Sequence, residues 1–203
     1  MESLKRTLNR LRFGNPYGKR HSIVIKSLDD VLPPIPKHLG KLEDRAIEAI
    51  NQCQGNAFDK LAIIYDFLNE YNQFVQTFSV CASGCAHCCK IDVATTKLEA
   101  IYIEKLTGKK VRRSGKHSRK HKTACPFLAT NGTWTIYEVR PFNCRTFHTM
   151  DDSKFCETQG AAHLTYGAQS QSPPYGSSSY LLMSQILNSL NENGEVKDIR
   201  DYF

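Results

Sequence analysis

Apolar residues recur at helical spacing along two stretches that precede a cysteine-rich segment. The first pattern stops at Gly55, and Asn56 is a suitable N-cap for the second. The apolar positions of the first stretch are Leu42, Ala46, Ala49, Ile50 and Cys53. Those of the second are Phe58, Leu61, Ile64, Tyr65, Leu68, Tyr71, Val75 and Phe78. We therefore predict two amphipathic helices, and Cys53 as a small core residue.

The pattern beyond the cysteines predicts further helices with little sheet. Thr96-x-x-Glu99 is a capping box that begins a helix ending at Gly108. Asn131-Gly132 predicts a short hairpin, Pro141 the start of a turn or helical segment, and 180–190 a last helix. We expect a mainly α fold with irregular Cys-rich loops and at most a small β-hairpin.

Changes in local composition predict three parts of the chain. Residues 1–38 form a basic, turn-rich N-terminal arm, and residues 39–166 form one compact helical domain that contains the cysteine cluster. Within that domain the cysteine motifs span 78–156, and 109–122 is a basic insertion. Residues 167–203 form a linker, rich in Gly, Ser and Pro, and a C-terminal helix.

The charge of the chain is concentrated in one segment. The 203 residues carry a net charge of +7, and eight of the fourteen residues from Lys109 to Lys122 are basic. Such a run can bind nucleic acid or an acidic protein partner, although a solvated loop between structured segments has the same composition. The candidate polyanion-binding residues are Lys109, Lys110, Arg112, Arg113, Lys116, Arg119, Lys120 and Lys122.

Eight cysteines and the absence of a long apolar run decide which chemistry to expect. The first residues contain no apolar stretch of signal-peptide length, and "LAIIY" and "YLLM" are too short to cross a membrane. We therefore expect a cytoplasmic protein without membrane contact. Thiols stay reduced there, so clustered cysteines favour metal binding or redox chemistry over disulfides.

The segment "SVCASGCAHCCKID" has the spacing of a metal site. Cys85-x2-Cys88 lets two sulfurs converge on one ion, and Cys81 adds a third thiol from the same loop. A zinc ion or an iron–sulfur cluster such as [4Fe-4S] suits this spacing equally. The fourth ligand is expected from another cysteine, for which the candidates are Cys89, Cys125, Cys144 and Cys156.

Three alternatives stay open within this segment. Cys85 and Cys88 could form a redox dithiol, and His87 could ligate through nitrogen or only donate a hydrogen bond to sulfur. In an extended backbone Cys88 and Cys89 point in opposite directions, so both bind one ion only if the loop bends sharply.

Thiolates on a metal leave a net negative charge, which nearby cations must balance. Lys90, Arg140 and Arg145 are placed in the sequence to do so. An ion pair with Glu138 is the alternative for Arg140. The sequence contains no Ser-His-Asp arrangement, P-loop, GxGxxG or HExxH pattern.

Read together, the cysteine cluster, "CPFL", "IYEVRP" and "CR" resemble the CxxCxxCC family over residues 78–156. This bacterial cysteine-cluster family, also called YkgJ-type, is described as a zinc- or iron-chelating domain, and the resemblance implies a small domain organised around a metal site. The ligands that it implies are Cys81, Cys85, Cys88, Cys89, Cys125 and Cys144, with Cys156 and His87 as weaker candidates.

Two departures from the family pattern bear on the number of sites. The first gap in the cluster has three residues instead of two, and Trp134 stands where the family commonly has a cysteine before "IY". The family also resembles the cysteine-rich part of flagellin lysine N-methylases. That likeness points toward an iron–sulfur cluster in group transfer.

Three hypotheses follow, and whether the protein is an enzyme is open. The first is a metal-binding module whose loops are fixed by zinc or iron. The second is an iron–sulfur enzyme in redox or group-transfer chemistry, with a ligand pocket beside the cluster. The third, compatible with the first, is binding of nucleic acid or an acidic partner through the basic run.

Overall fold

The computed structural model describes residues 32–82, 84–112, 117–119, 123–158, 163–168, 177–192 and 194–203. Its α-helices are α1 (Lys37–Gln52), α2 (Ala57–Val75), α3 (Lys97–Thr107), α4 (Phe142–Thr146), α5 (Ser178–Leu190) and α6 (Ile199–Tyr202). Its strands are β1 (Ala94–Thr96), β2 (Phe147–Thr149), β3 (Thr165–Gly167) and β4 (Val196–Asp198). Short 3₁₀ turns occupy His87–Lys90, Tyr137–Val139 and Ser153–Glu157.

Helix α2 is the centre of the fold, and α1, α3, α4 and α5 all contact it. The helix begins at the predicted cap, Asn56, in a complete capping box with Asp59. Leu61, Ile64 and Leu68 are fully buried along its length. Because this central helix supplies apolar side chains to every neighbour, it anchors the main hydrophobic core.

A buried carboxylate joins this core to the segment that carries the later cysteines. Glu99 is 1% exposed and completes the predicted capping box with Thr96 at the start of α3. Its Oε1 accepts hydrogen bonds from the Tyr65 hydroxyl of α2 at 2.9 Å and from the Phe142 amide at 2.6 Å. The first residue of α4 is thereby fixed to α2 and α3.

Two small antiparallel sheets close the structure. Strand β1 pairs with β4 in the register Ala94↔Asp198, and β2 pairs with β3 in the register Phe147↔Gly167. The predicted hairpin at Asn131-Gly132 forms a tight turn with one bridge, between Leu128 and Trp134. Gly132 has a φ of +78°, and a Cβ there would lie 2.9 Å from the Gly84 carbonyl, so the turn and the cysteine loop meet closely.

The mainly α fold class predicted from the pattern is confirmed. Cys53, predicted as a core residue, is only half-buried at the end of α1. Residues 1–31 of the predicted arm and 169–176 of the predicted linker lie outside the described residues. Among the helices that the structure describes, none is long and apolar enough to cross a membrane.

We predict that Glu99→Ala destabilises the fold strongly. The substitution leaves the Tyr65 hydroxyl and the Phe142 and Thr96 amides without their buried acceptor, so the free energy of unfolding should fall by about 3 kcal/mol or more. Denaturant unfolding would measure it. The control Glu104→Ala, on the same helix, removes only an ion pair with Lys110 and should cost less than about 1 kcal/mol. Equal losses for both variants would contradict this role of Glu99.

Candidate metal centre

The cysteine loop is bent at Cys88 and Cys89, whereas an extended backbone would direct their side chains in opposite directions. Residues His87–Lys90 form a 3₁₀ turn, and Cys88 and Cys89 line the same cavity. The sharp bend that both cysteines need to face one site is therefore present. Gly84, with a φ of +86°, helps the chain to turn just before Cys85.

Four cysteines line one cavity of about 490 Å³: Cys88, Cys89, Cys125 and Cys144. The Cys125 amide donates to the Cys89 carbonyl at 2.9 Å, which holds these two segments together. Cys144 comes from α4, the helix fixed by Glu99. Three separate chain segments thus bring thiols to the same cavity.

The protein environment changes the acidity of these four thiols unequally. The hydrogen bond from Cys88 lowers the pKa of Cys89 to about 7, against the effect of burial and with help from Trp134 and Arg200. The same Cys88–Cys89 hydrogen bond, together with burial, raises the pKa of Cys88. Burial raises the pKa of both Cys125 and Cys144. Without a cation, one of the four thiols ionises readily and the others stay protonated.

The side chain of Trp134 contacts this thiol pair directly. Its indole Nε1 donates to the Cys89 sulfur at 2.6 Å. Trp134 therefore supplies a hydrogen-bond donor to a thiol. A tryptophan cannot ligate a metal, but its N–H can stabilise a thiolate.

A second group of thiols lies next to the first. Burial raises the pKa of Cys156 to about 12, and the neighbouring thiols of Cys81 and Cys85 contribute to the shift. The Thr149 amide donates to the Cys81 sulfur at 3.4 Å, and a hydrogen bond with the Thr149 side chain opposes the rise in the pKa of Cys156. Cys88 also lies near Cys81, so it connects the two groups. Cys156, a weaker candidate in the sequence, thus lies within electrostatic reach of two of the main ones.

The donor set and its surroundings fit a metal–thiolate centre, although the sulfur atoms do not yet converge. Within the described part of the chain, no group of three or more Cys, His, Asp or Glu side chains is arranged so that it could hold an ion as it stands. The chemistry of the lining is nevertheless that of zinc and iron–sulfur sites, with four thiols and hydrogen-bond donors beside them.

Arg140 places a buried guanidinium with one unsatisfied nitrogen at this cavity. Its side chain lines the cavity and is only 7% exposed, and its guanidinium packs 3.9 Å from the ring centroid of Tyr137. One nitrogen, Nη1, donates to the Tyr137 carbonyl at 2.7 Å, whereas the buried Nε has no hydrogen-bond partner. The alternative ion pair with Glu138 is not among the contacts of the described residues. Arg140 also lies close enough to Cys144 to favour its thiolate form.

The other two predicted cations have different surroundings. Lys90 pairs with Glu157 at 2.9 Å, and Glu157 also pairs with the half-buried His87. These contacts tie the cysteine loop to the 3₁₀ turn that carries Cys156. Arg145 is fully buried and donates to main-chain carbonyls of residues 138 and 140 and to the Asn69 side chain. It therefore fixes the backbone on both sides of Tyr137–Val139 and positions Arg140.

Part of the basic run is attached to the fold. Lys109 lies over the Phe127 ring, Lys110 pairs with Glu104, and the Arg112 side chain donates to the Arg200 carbonyl. Arg119 is exposed. The remaining members of the run, Arg113, Lys116, Lys120 and Lys122, lie outside the described residues. Binding of nucleic acid or an acidic partner through this segment stays a prediction.

Arg200 is the residue near the site that the sequence analysis missed. Its guanidinium donates to the carbonyl of Cys89 at 2.6 Å and to that of Thr123 at 2.8 Å. It lies 111 positions from Cys89 in the chain, and no motif or periodicity links the two. The sequence feature that could have indicated Arg200 is the Asp198-x-Arg200 pair. Pairs of opposite charge at this spacing also occur on protein surfaces, so this one did not stand out.

Burial of the His148 side chain makes the folding stability depend on pH. Burial, with a contribution from Arg140, lowers its pKa to about 4, and its Nε2 lies 3.3 Å from the Tyr180 hydroxyl. A free histidine binds a proton below about pH 6.5. The unfolded chain therefore takes up this proton first, and folding stability should fall by about 1.4 kcal/mol per pH unit from pH 6.5 toward pH 4.

We expect His148→Gln to remove this part of the pH dependence. Denaturant unfolding of both proteins at the same metal content, from pH 7 to pH 4.5, isolates the histidine because other titrating groups are shared. The two stability curves should converge as the pH falls. Parallel curves would show that His148 is not buried in its neutral form.

Comparison with known families bears on the same part of the chain. Residues 80–163 match the model of the CxxCxxCC family, whose description is "Putative zinc- or iron-chelating domain". The match confirms the family resemblance that the motifs predicted, and it contains every cysteine of the two thiol groups. No curated protein and no solved structure matches the chain.

Proposed function

We propose that this chain, which carries the CxxCxxCC domain at residues 80–163, is a cytoplasmic protein that binds zinc or iron through clustered cysteines. Cys88, Cys89, Cys125 and Cys144 are the proposed principal ligands. Cys81, Cys85 and Cys156 form an adjoining set next to Cys88. They supply further ligands to the same ion or bind a second ion. His87, paired with Glu157, is not needed for ligation in this proposal.

The observation that carries the proposal is a buried positive charge opposite a group of thiols. Removing a guanidinium from water is costly unless an anion or hydrogen-bond acceptors compensate it. Arg140 has an unpaired Nε and lines the cavity together with the four cysteines. Four thiolates on Zn²⁺, or on an oxidised four-iron cluster, leave a net charge of about −2, which is the missing counter-charge.

Metal binding must change the protonation and the positions of the thiols. Burial keeps Cys125 and Cys144 protonated in the absence of a cation, so their protons are released when metal binds. The cysteine segments must also draw together, because the described thiols surround the cavity without converging. A bound metal would then fix the loops and contribute folding energy.

A second candidate function, an iron–sulfur enzyme, is favoured by the size of the cavity. Structural zinc sites are closed, with four protein ligands around the ion. A cavity of about 490 Å³ lies within the range of small-molecule sites, roughly 300–1,000 Å³. The apolar walls formed by Phe127, Ile136 and Ile199 would exclude water from a ligand there.

Metal and acid-labile sulfide content per chain, on protein purified without oxygen, tests both candidates. We expect bound zinc without sulfide for a structural module, or iron with matching sulfide for a cluster protein. Cys125→Ser and Cys144→Ser should each lose most of the metal, because each removes a proposed ligand. The control Cys53→Ser should retain it, since Cys53 directly follows α1 and does not line the cavity. Full metal content in both ligand variants would contradict the proposed ligand set.

Arg140→Gln should weaken metal binding without destabilising the metal-free protein. Loss of the cation removes the counter-charge, so metal affinity should fall by about 10- to 100-fold. Metal-free stability should change little, because the contacts of the guanidinium with Tyr137 are lost together with the cost of burying its incompletely hydrogen-bonded charge. Metal competition titrations and denaturant unfolding measure the two quantities. The exposed Arg45→Gln is the charge-matched control. A loss of metal-free stability with unchanged affinity would assign Arg140 a structural role.

A further inference from the structure

We propose that Arg200 is a positioning residue for the metal centre, and that residues 195–203 act as a latch on it. We call residues 195–203 the latch segment. It lies beyond the matched domain, which ends at residue 163, so the family does not account for it. The inference rests on the proposed metal binding and concerns how this chain holds its ligands.

The Arg200 guanidinium connects the two segments that carry Cys89 and Cys125. Nη2 donates to the Cys89 carbonyl at 2.6 Å, and Nη1 donates to the Ile91 carbonyl at 3.1 Å. Nε donates to the Thr123 carbonyl at 2.8 Å, two residues before Cys125. One rigid, planar group therefore sets the spacing between the cysteine loop and the approach to Cys125.

The charge of Arg200 is fully compensated, in contrast to that of Arg140. The Asp198 carboxylate pairs with its Nη1 at 3.0 Å, and both side chains are almost completely buried. The Cys89 carbonyl accepts from the Cys125 amide as well as from Arg200, so both donors meet on one ligand-bearing residue. Arg200 therefore needs no further anion, and the geometry points to orientation of the ligand segments.

The rest of the latch segment strengthens the same attachment. Strand β4 pairs with β1 directly after the cysteine loop, and Asp198 Oδ2 accepts from the Val93 amide at 2.5 Å. Ile199 forms part of the cavity wall. The Phe203 ring packs edge-on against Phe127 with centroids 4.8 Å apart, two residues after Cys125. The latch segment thus contacts the chain on both sides of the hydrogen bond between Cys89 and Cys125.

These contacts predict that latch docking and metal binding stabilise each other. A docked latch holds Cys89 and Cys125 together before metal arrives, which lowers the ordering cost of ligation. Because such coupling is reciprocal, bound metal must stabilise the docked latch segment by the same free energy. Loss of the latch contacts should therefore weaken the hold on the metal.

The closing experiment compares metal release from variants of the full chain. Protein purified without oxygen is mixed with excess EDTA, and bound metal is followed over time. Arg200→Gln should release metal about tenfold faster or more. Arg200→Lys should behave in the same way, because a single ammonium cannot donate to three separated carbonyls. The control Met183→Ala removes a fully buried core side chain of α5. It should lower stability and leave the release rate unchanged.

Two further readouts do not depend on fold stability. In Co²⁺-loaded protein, Arg200→Gln should shift the sulfur-to-metal absorption, whereas Met183→Ala should not. In the unmutated protein, metal loading should slow hydrogen exchange at the Ile199 amide, which donates from the latch segment to the Val93 carbonyl. This second readout applies even if Arg200→Gln does not fold.

The outcomes separate the two proposals. If the unmutated protein holds no zinc or iron and takes up no Co²⁺, the proposed function and the latch both fail. If it holds metal but Arg200→Gln releases it at the unmutated rate with an unchanged spectrum, only the latch is overturned. Equally fast release from Met183→Ala would also overturn it, because general instability would explain the effect.

Discussion

The interaction on which the site depends is that between the buried Arg140 guanidinium and the four thiols around the same cavity. Tyr137 satisfies only part of this guanidinium, whose Nε has no hydrogen-bond partner, and burial keeps Cys125 and Cys144 protonated unless a cation binds them. Each half of the site is thus incomplete without a metal. A metal–thiolate centre satisfies both, since it ionises the thiols and leaves a net anion beside the guanidinium.

Three fully connected polar groups hold this incomplete site in place. Glu99 fixes the start of α4 and hence Cys144. Arg145 donates to the carbonyls on either side of the turn before Arg140, and Arg200 does the same for the segments of Cys89 and Cys125. The partners of these three groups are provided within the fold, so they act as scaffold, whereas Arg140 and the thiols are left for ligand binding.

Local signals in the sequence were sufficient for the helices and for much of the donor set. The caps at Asn56 and Thr96 depend on residues three positions apart, and the cysteine motifs depend on short spacings. The pairing of β1 with β4 could not be predicted because each strand has three residues and their partners are about a hundred positions apart. Arg200 was missed for the same reason, and the proximity of Cys156 to Cys81 also arises only from tertiary packing.

The central claim is that cysteine sulfur binds a metal in this cavity. X-ray absorption at the edge of whichever metal accompanies the protein purified without oxygen tests it most directly. The account predicts a first shell dominated by sulfur at about 2.3 Å, the distance of metal–thiolate bonds. A first shell of oxygen and nitrogen at about 2.0–2.2 Å, without sulfur, would contradict it, because the metal would then lie away from the thiols.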